Sequence, residues 1–331
     1  MHFSDLVLII FFLAQTGIGL LGNSTLLVVF ISAIISQPHR KKSMDLILTH
    51  LTVANTVILL TQAAPGMVMT FRLETFVDNI GCQIVLYIRR VARGLSICTT
   101  CLLSVFQAVT ISPYNSWWAQ LKPRCPGCIL PSFLFFWVIN MLVDVNFLKP
   151  VAVTKNVTIT VNDYSRKSCF STLWVIFFHE VFFLSAMTLR DIFFVFLMSW
   201  ASGYMVIVLH RHRKQVQHIH SSSQTQKFSP ESRATQTILL LVSCFVCFYC
   251  FNSSIVLLNY VDEKDLILYD VAMFLGSGYA FFCPLVLISR DPRVPRPQCG
   301  SKKTRGLSVA IHPCVELQSS SLSISLPIDL M

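Results

Sequence analysis

Three arginines stand inside an otherwise apolar run, Tyr87-Ile88-Arg89-Arg90-Val91-Ala92-Arg93. An arginine at the centre of a membrane helix costs about 2.5–3.5 kcal/mol on insertion scales, so it needs a reason to be there. On a helix, Arg89 and Arg93 share one face and Arg90 points about 100° away. Two uses of this charge fit. Arg89 and Arg93, with Asp191, would line an electropositive ligand cavity. Alternatively, the arginines would form a structural network with Asp144, Glu180 or Asp191. The two uses are compatible, and residue types alone do not separate them. Arg190-Asp191 also reads as a simple pair at a membrane interface.

Other reactive residue types lack the context their chemistry needs. Cys125-Pro126-Gly127-Cys128 has redox-motif spacing but no strand–helix setting to lower a thiol pKa. Zinc ligation by Cys125, Cys128, His218 and His220 would not follow the spacing of a known finger. His179-Glu180 reads as polar punctuation near an interface. No HExxH, GxSxG or P-loop is present. The expectation is a protein that is not an enzyme and uses no metal and no cofactor.

The elements that must position these residues are membrane helices. The chain has 331 residues, 54% hydrophobic and 13% charged, with mean hydropathy +0.64. Soluble domains carry about 25% charged residues. The apolar runs approach the roughly 20 residues that cross a bilayer, and a backbone in lipid must satisfy itself as a helix. The alternation of a barrel strand is absent. Seven spans are expected near 6–35, 46–71, 80–111, 129–148, 190–210, 235–261 and 266–289. Pro65 and Pro284 should kink spans two and seven. Leu173–Leu184 is apolar but too short to cross alone, so it reads as an interfacial lid or an extension of span five. The first run, preceded by Asp5 and no basic residue, reads as a retained span rather than a cleaved signal.

Loop charge sets the expected direction. With the N-terminus outside, sixteen Lys and Arg fall in cytoplasmic segments and six outside, four of those in one long loop. The C-terminus is then cytoplasmic, and residues 291–331 form a polar, Ser-rich tail expected to be disordered. The net charge of +10 is assigned to loops facing anionic lipid, not to a nucleic-acid partner. Asn156-Val157-Thr158 is a glycosylation acceptor on the expected outside. Asn23-Ser24-Thr25 and Asn252-Ser253-Ser254 match the same pattern inside spans and are discounted. Of the 12 cysteines, Cys82 and Cys169 alone lie on the expected outside, where oxidising conditions favour a bridge worth about 2–4 kcal/mol.

The long string from Tyr87 through Arg93, Cys98-Thr99-Thr100-Cys101 and Phe106-Gln107-Ala108 to Ile111-Ser112-Pro113 closely resembles vomeronasal type 1 receptors. Further matches are Leu21-Gly22-Asn23, Leu51-Thr52-Val53-Ala54-Asn55, Phe136-Trp137-Val138-Ile139-Asn140, Ala201-Ser202-Gly203-Tyr204 and the stretch from His210-Arg211-His212-Arg213-Lys214 to His220. The resemblance covers nearly all of residues 1–290. It implies a rhodopsin-like seven-helix receptor in the cell membrane that senses small pheromone-like cues and signals through an inhibitory-type heterotrimeric G protein. It also implies the Cys82–Cys169 bridge and a glycosylated loop. Phe106-Gln107-Ala108 stands where many rhodopsin-like receptors carry Asp-Arg-Tyr, and Phe282-Cys283-Pro284-Leu285-Val286 where they carry Asn-Pro-x-x-Tyr. Activation contacts are therefore not copied from those relatives.

The functional expectation is a ligand entering from outside and contacting spans three, five, six and seven. The G protein would meet Ile111, Ser112 and Pro113 at the exit of span three, and His210, Arg211, His212, Arg213 and Lys214 at the exit of span five. A bitter-taste-type receptor is the near alternative. A transporter or channel is the alternative from another class, and it would predict internal repeats.

Overall fold

The computed structural model describes residues 3–36, 42–70, 79–113, 116–123, 125–145, 181–219, 230–261, 266–291 and 293–294. Among them are seven α-helices: α1 (Phe3–Ser36), α2 (Lys42–Thr70), α3 (Asn79–Ile111), α4 (Ile129–Asp144), α5 (Val181–Ile219), α6 (Pro230–Val261) and α7 (Leu266–Arg290). Six hold windows long and apolar enough to cross a membrane, and the seventh, Phe274–Arg290, is a shorter apolar stretch. No strand occurs among the described residues. Two 3₁₀ turns, Trp117–Leu121 and Cys125–Cys128, lie between α3 and α4. The Cys-Pro-Gly-Cys sequence is thus a turn leading into α4.

Helix α3 is the axis of the bundle. It packs on α2, α4, α5 and α6, while α7 closes the ring against α6, α1 and α2. Of its membrane window, 72% is buried, against 17% for α4. The core is aliphatic and aromatic, with Leu26, Phe30, Leu51, Leu103, Met198, Met205 and Leu241 fully covered. Large apolar side chains such as Leu21, Leu134, Phe196 and Trp200 point outward, as a lipid-facing surface requires.

Hydroxyls in these helices satisfy themselves locally. Thr52, Thr56, Thr99, Thr100, Ser104 and Ser112 each donate to the carbonyl four residues back, at 2.6–2.9 Å. Pro284 inside α7 lacks the N–H that Ala280 O would accept. Asn23 of α1 replaces it, donating from Nδ2 to Ala280 O at 3.1 Å. Gly22 allows the approach, since a Cβ there would sit 3.1 Å from Pro284 Cβ. Asn23 and Asn252 are both buried inside helices, unlike a glycan acceptor.

The start of the fifth helix and the end of the folded unit differ from the expected limits. The fifth helix begins at Val181 rather than Arg190, because Arg190 and Asp191 are neutralised inside the bundle and do not end the helix. Residues from Val181 therefore extend span five; Leu173–Glu180 lie outside the described residues. At the far end of the fold, the compact unit runs to Val294, which is buried against the core. Arg293 there donates to Asp45 of α2 at 3.0 Å and to Asp291 at 2.8 Å, and lies 5.4 Å from the Phe30 ring centroid. Hydrogen bonding to Asp291 and the field of both carboxylates raise the pKa of its guanidinium further.

Candidate functional site

Arg90, Arg93, Asp144, Arg190 and Asp191, in the Cys82 half of the bundle, divide between two sites. The first joins α3, α4 and α5. Arg190 donates from Nε to Asp191 Oδ1 at 2.9 Å, and from Nη1 to Asn140 Oδ1 at 2.9 Å and Asp144 Oδ2 at 3.3 Å. All four side chains are buried: Arg190 is 8% exposed, Asp191 7%, and Asn140 and Asp144 0%. Asn140 Nδ2 donates to Phe136 O at 2.6 Å, its own helix, and lies 3.6 Å from Cys98 Sγ of α3. Gly94 of α3 makes the arrangement possible, because a Cβ there would overlap Asn140 Oδ1. Arg90 points to the same side of α3 and reaches Met187 Sδ at 3.1 Å.

The second site faces α6 and α7. Arg93 lines a narrow cavity of about 30 Å³ together with Ile58, Ser96, Phe245, Phe248, Tyr249, Asn252 and Tyr279. The Asn252 amide is oriented by its neighbours. Assigned the orientation that satisfies both ends, it donates to Ala272 O at 2.8 Å and accepts from Arg93 Nη2 at 2.9 Å and Nη1 at 3.3 Å. The Arg93 guanidinium carbon lies 6.0 Å from the Tyr249 ring centroid. Of the lining residues, Ser96 donates to Asn55 Oδ1 at 2.9 Å and Tyr279 Oη shares a bond with Thr100 at 3.0 Å.

The three cavity candidates are thus not one cluster. Arg93 lines the cavity. Asp191 is bonded to Arg190, and Arg89 is half-buried; neither is among the cavity-lining residues. Sequence reasoning missed Asn252, treated only as a discounted acceptor, and Arg190, treated as an interfacial residue. The signal available was the same for both: a polar side chain deep in an apolar helix requires a partner.

At the Ile111 end, Gln107 of α3 donates to Thr235 Oγ1 of α6 at 3.1 Å, with both residues buried. Ser112 is also buried. Its hydroxyl and that of Ser116 each lie 3.0 Å from Tyr204 Oη of α5, and its carbonyl accepts from Lys122 Nζ at 2.6 Å. Pro113 is exposed beside it, and Ile111 is half-buried. His210, Arg211, His212 and Lys214 are exposed on α5; Arg213 lies on the same helical stretch, but its side chain is outside the description. The helix has 39 residues, roughly 58 Å at 1.5 Å per residue, well beyond the roughly 30 Å core of a bilayer. Cys82 falls in the first turns of α3, with its side chain outside the description. Cys169 and Asn156 lie outside the described residues.

This arrangement is a buried-charge bundle with one arginine-lined cavity and basic helix ends, and comparison with known proteins is consistent with that reading. The profile of the vomeronasal organ pheromone receptor family matches residues 7–299. Vomeronasal type-1 receptor 4 of Pongo pygmaeus is 37% identical over 292 residues, covering 86% of this chain and 94% of that protein. The human vomeronasal type-1 receptor 4 is 38% identical over 289 residues, with the same coverage. Vomeronasal type-1 receptor 44 of Mus musculus is 34% identical over 291 residues, covering 87% and 93%. A family match across nearly the whole bundle, with relatives similar along almost their full length, means that this multi-pass membrane protein belongs to the vomeronasal type-1 receptor family of chemosensory receptors.

Proposed function

We propose that this chain detects pheromones or other small semiochemicals and passes the signal to a heterotrimeric G protein, of inhibitory type by family resemblance. The observation that carries this reading is the Arg93 cavity. It lies where α2, α3, α6 and α7 meet, and two of those helices, α3 and α6, are joined again at their other ends through Gln107 and Thr235. A ligand that rearranges the helices at the cavity thereby acts on the bond at the far end. Only differential affinity for the two arrangements moves such an equilibrium.

The proposed orientation has the N-terminus outside and the C-terminus in the cytoplasm, supported by the loop-charge asymmetry. It sets Cys82, Cys169 and Asn156 outside, with a Cys82–Cys169 bridge and a glycan on Asn156. It turns Ile111, Ser112, Pro113 and the His210–Lys214 stretch towards the G protein. The test is agonist-evoked G-protein activation in transfected cells with surface expression verified. The expected response is lost with pertussis toxin. Failure of the purified protein to couple to any G protein rejects the reading. Loss of a glycosidase-sensitive mobility shift in Asn156→Gln checks the orientation.

A further inference from the structure

Arg93 faces a cavity, yet among the described residues it bonds only neutral groups. Its guanidinium donates twice to Asn252 Oδ1, at 2.9 and 3.3 Å, and lies beside the Tyr249 ring. The acids on the other side of α3, Asp144 and Asp191, are both taken up by Arg190. The cavity volume of about 30 Å³ is the size of one small polar group, and aromatic rings from Phe245, Phe248 and Tyr279 form much of its wall. Asn252 is a two-sided contact, holding Arg93 of α3 with its oxygen and Ala272 O with its nitrogen. Gly276 leaves it room, since a Cβ there would sit 3.3 Å from the end of the Asn252 amide that faces Ala272 O.

We propose that Arg93 selects ligands with a single anionic head group, a carboxylate on an apolar body, and that this head group displaces Asn252 from the guanidinium. The inference rests on the receptor reading and names the ligand class of that same cavity. A charged acceptor bonds a guanidinium about twice as strongly as a neutral one. A carboxylate also matches the planar fork with two parallel bonds, which one amide oxygen cannot. The low dielectric of the bundle widens the difference. Once displaced, Asn252 keeps its bond to Ala272 O. Helix α6 then remains joined to α7 and loses this link to α3. The anion is thus bound best by the arrangement in which α3 and α6 are separated at the cavity, which is the differential affinity that a population shift requires.

The test uses the purified full-length receptor in lipid nanodiscs. The probes are decanoate, methyl decanoate and decanol, followed by branched and cyclic carboxylates with their methyl esters. The readouts are ligand-dependent thermal stability, which rises with occupancy of the folded state, and direct binding. The esters partition into lipid as the acids do, so non-specific bilayer effects appear in both arms. The expected result is a rise in melting temperature with a carboxylate, none with its ester or decanol, and loss of the rise in Arg93→Gln. Asn252→Ala keeps the arginine and removes its competitor, so its carboxylate affinity should increase about tenfold. The proposal is overturned if no carboxylate shifts the wild type. It is equally overturned if esters bind as well as acids, if folded Arg93→Gln keeps the preference, or if Asn252→Ala gains nothing. Activation of a G protein by neutral odorants but by no acid rejects this inference and leaves the receptor reading standing. Acid binding without activation of any G protein does the reverse.

Discussion

Asn23 Nδ2 lies 3.1 Å from Ala280 O, the carbonyl that Pro284 leaves without a helical donor. A side chain on α1 thus closes the hydrogen-bond ladder of α7, across a contact made close by Gly22. The same amide nitrogen also donates to Gly19 O at 2.8 Å, so its rotamer is held.

Asn23→Ala should therefore destabilise the bundle by about 1–3 kcal/mol, the cost of an orphaned buried acceptor. The diagnostic measurement is a double-mutant cycle by thermal unfolding in detergent. Pro284→Ala restores the N–H that Ala280 O lacks. The pair Asn23→Ala with Pro284→Ala should lose clearly less than the sum of the two single changes. Strict additivity would mean that the bond to Ala280 O contributes nothing.

Arg190→Met should be among the most damaging single changes. It strips the cation from Asp144 and Asp191 and a donor from Asn140, all buried. Removing one partner of a buried ion pair costs about 3–5 kcal/mol. Surface expression and melting temperature should both fall. Gly94→Ala should act in the same direction, by about 1–3 kcal/mol of overpacking, because its Cβ would meet Asn140 Oδ1. Normal surface expression and stability of Arg190→Met would contradict the clamp.

How much of this could be read from sequence differs between fold and site. Helix count follows from the length of the apolar runs, because lipid leaves a backbone little alternative to helix. The angle between Arg90 and Arg93 also follows from helical geometry, and the two do part: one reaches Met187 of α5, the other Asn252 of α6. Their destinations do not follow, since helical periodicity carries no information about which helix stands opposite. The start of α5 was hidden for a related reason. Hydropathy counts Arg190 and Asp191 as two separate charges, whereas burial depends on their pairing with Asp144, 46 residues away in sequence. Asn252 was legible only as a motif in a place no glycan enzyme reaches.

The end of the bundle is testable by truncation. A chain ending after Val294 keeps the bonds from Arg293 to Asp45 and Asp291 and the packing of Val294. It should melt at the same temperature as the full chain. A chain ending after Arg290 should melt lower. Arg293→Ala should fall between them and lose salt sensitivity, because its side chain is 39% exposed and the pairs are partly screened. Equal melting of the two truncations would place the end of the folded unit before Asp291.

The bond from Gln107 to Thr235 offers the most direct test of the proposed switch. It joins α3 to α6 near the Ile111 end, and it is neutral. A neutral bond is worth about 0.5–1.5 kcal/mol net. If it exists only while the G-protein face is closed, its loss shifts the open population by that amount, about two- to twelvefold. Thr235→Val is the cleaner change, since it removes the hydroxyl and keeps the shape. It leaves Gln107 Nε2 without this acceptor in the closed arrangement alone, which adds to the same shift. Basal nucleotide exchange on a reconstituted G protein should rise in Thr235→Val and in Gln107→Ala, with carboxylate affinity unchanged or higher because the two states are linked. Unchanged basal exchange in both, with intact folding, would show that this bond survives opening and that α3 and α6 separate elsewhere.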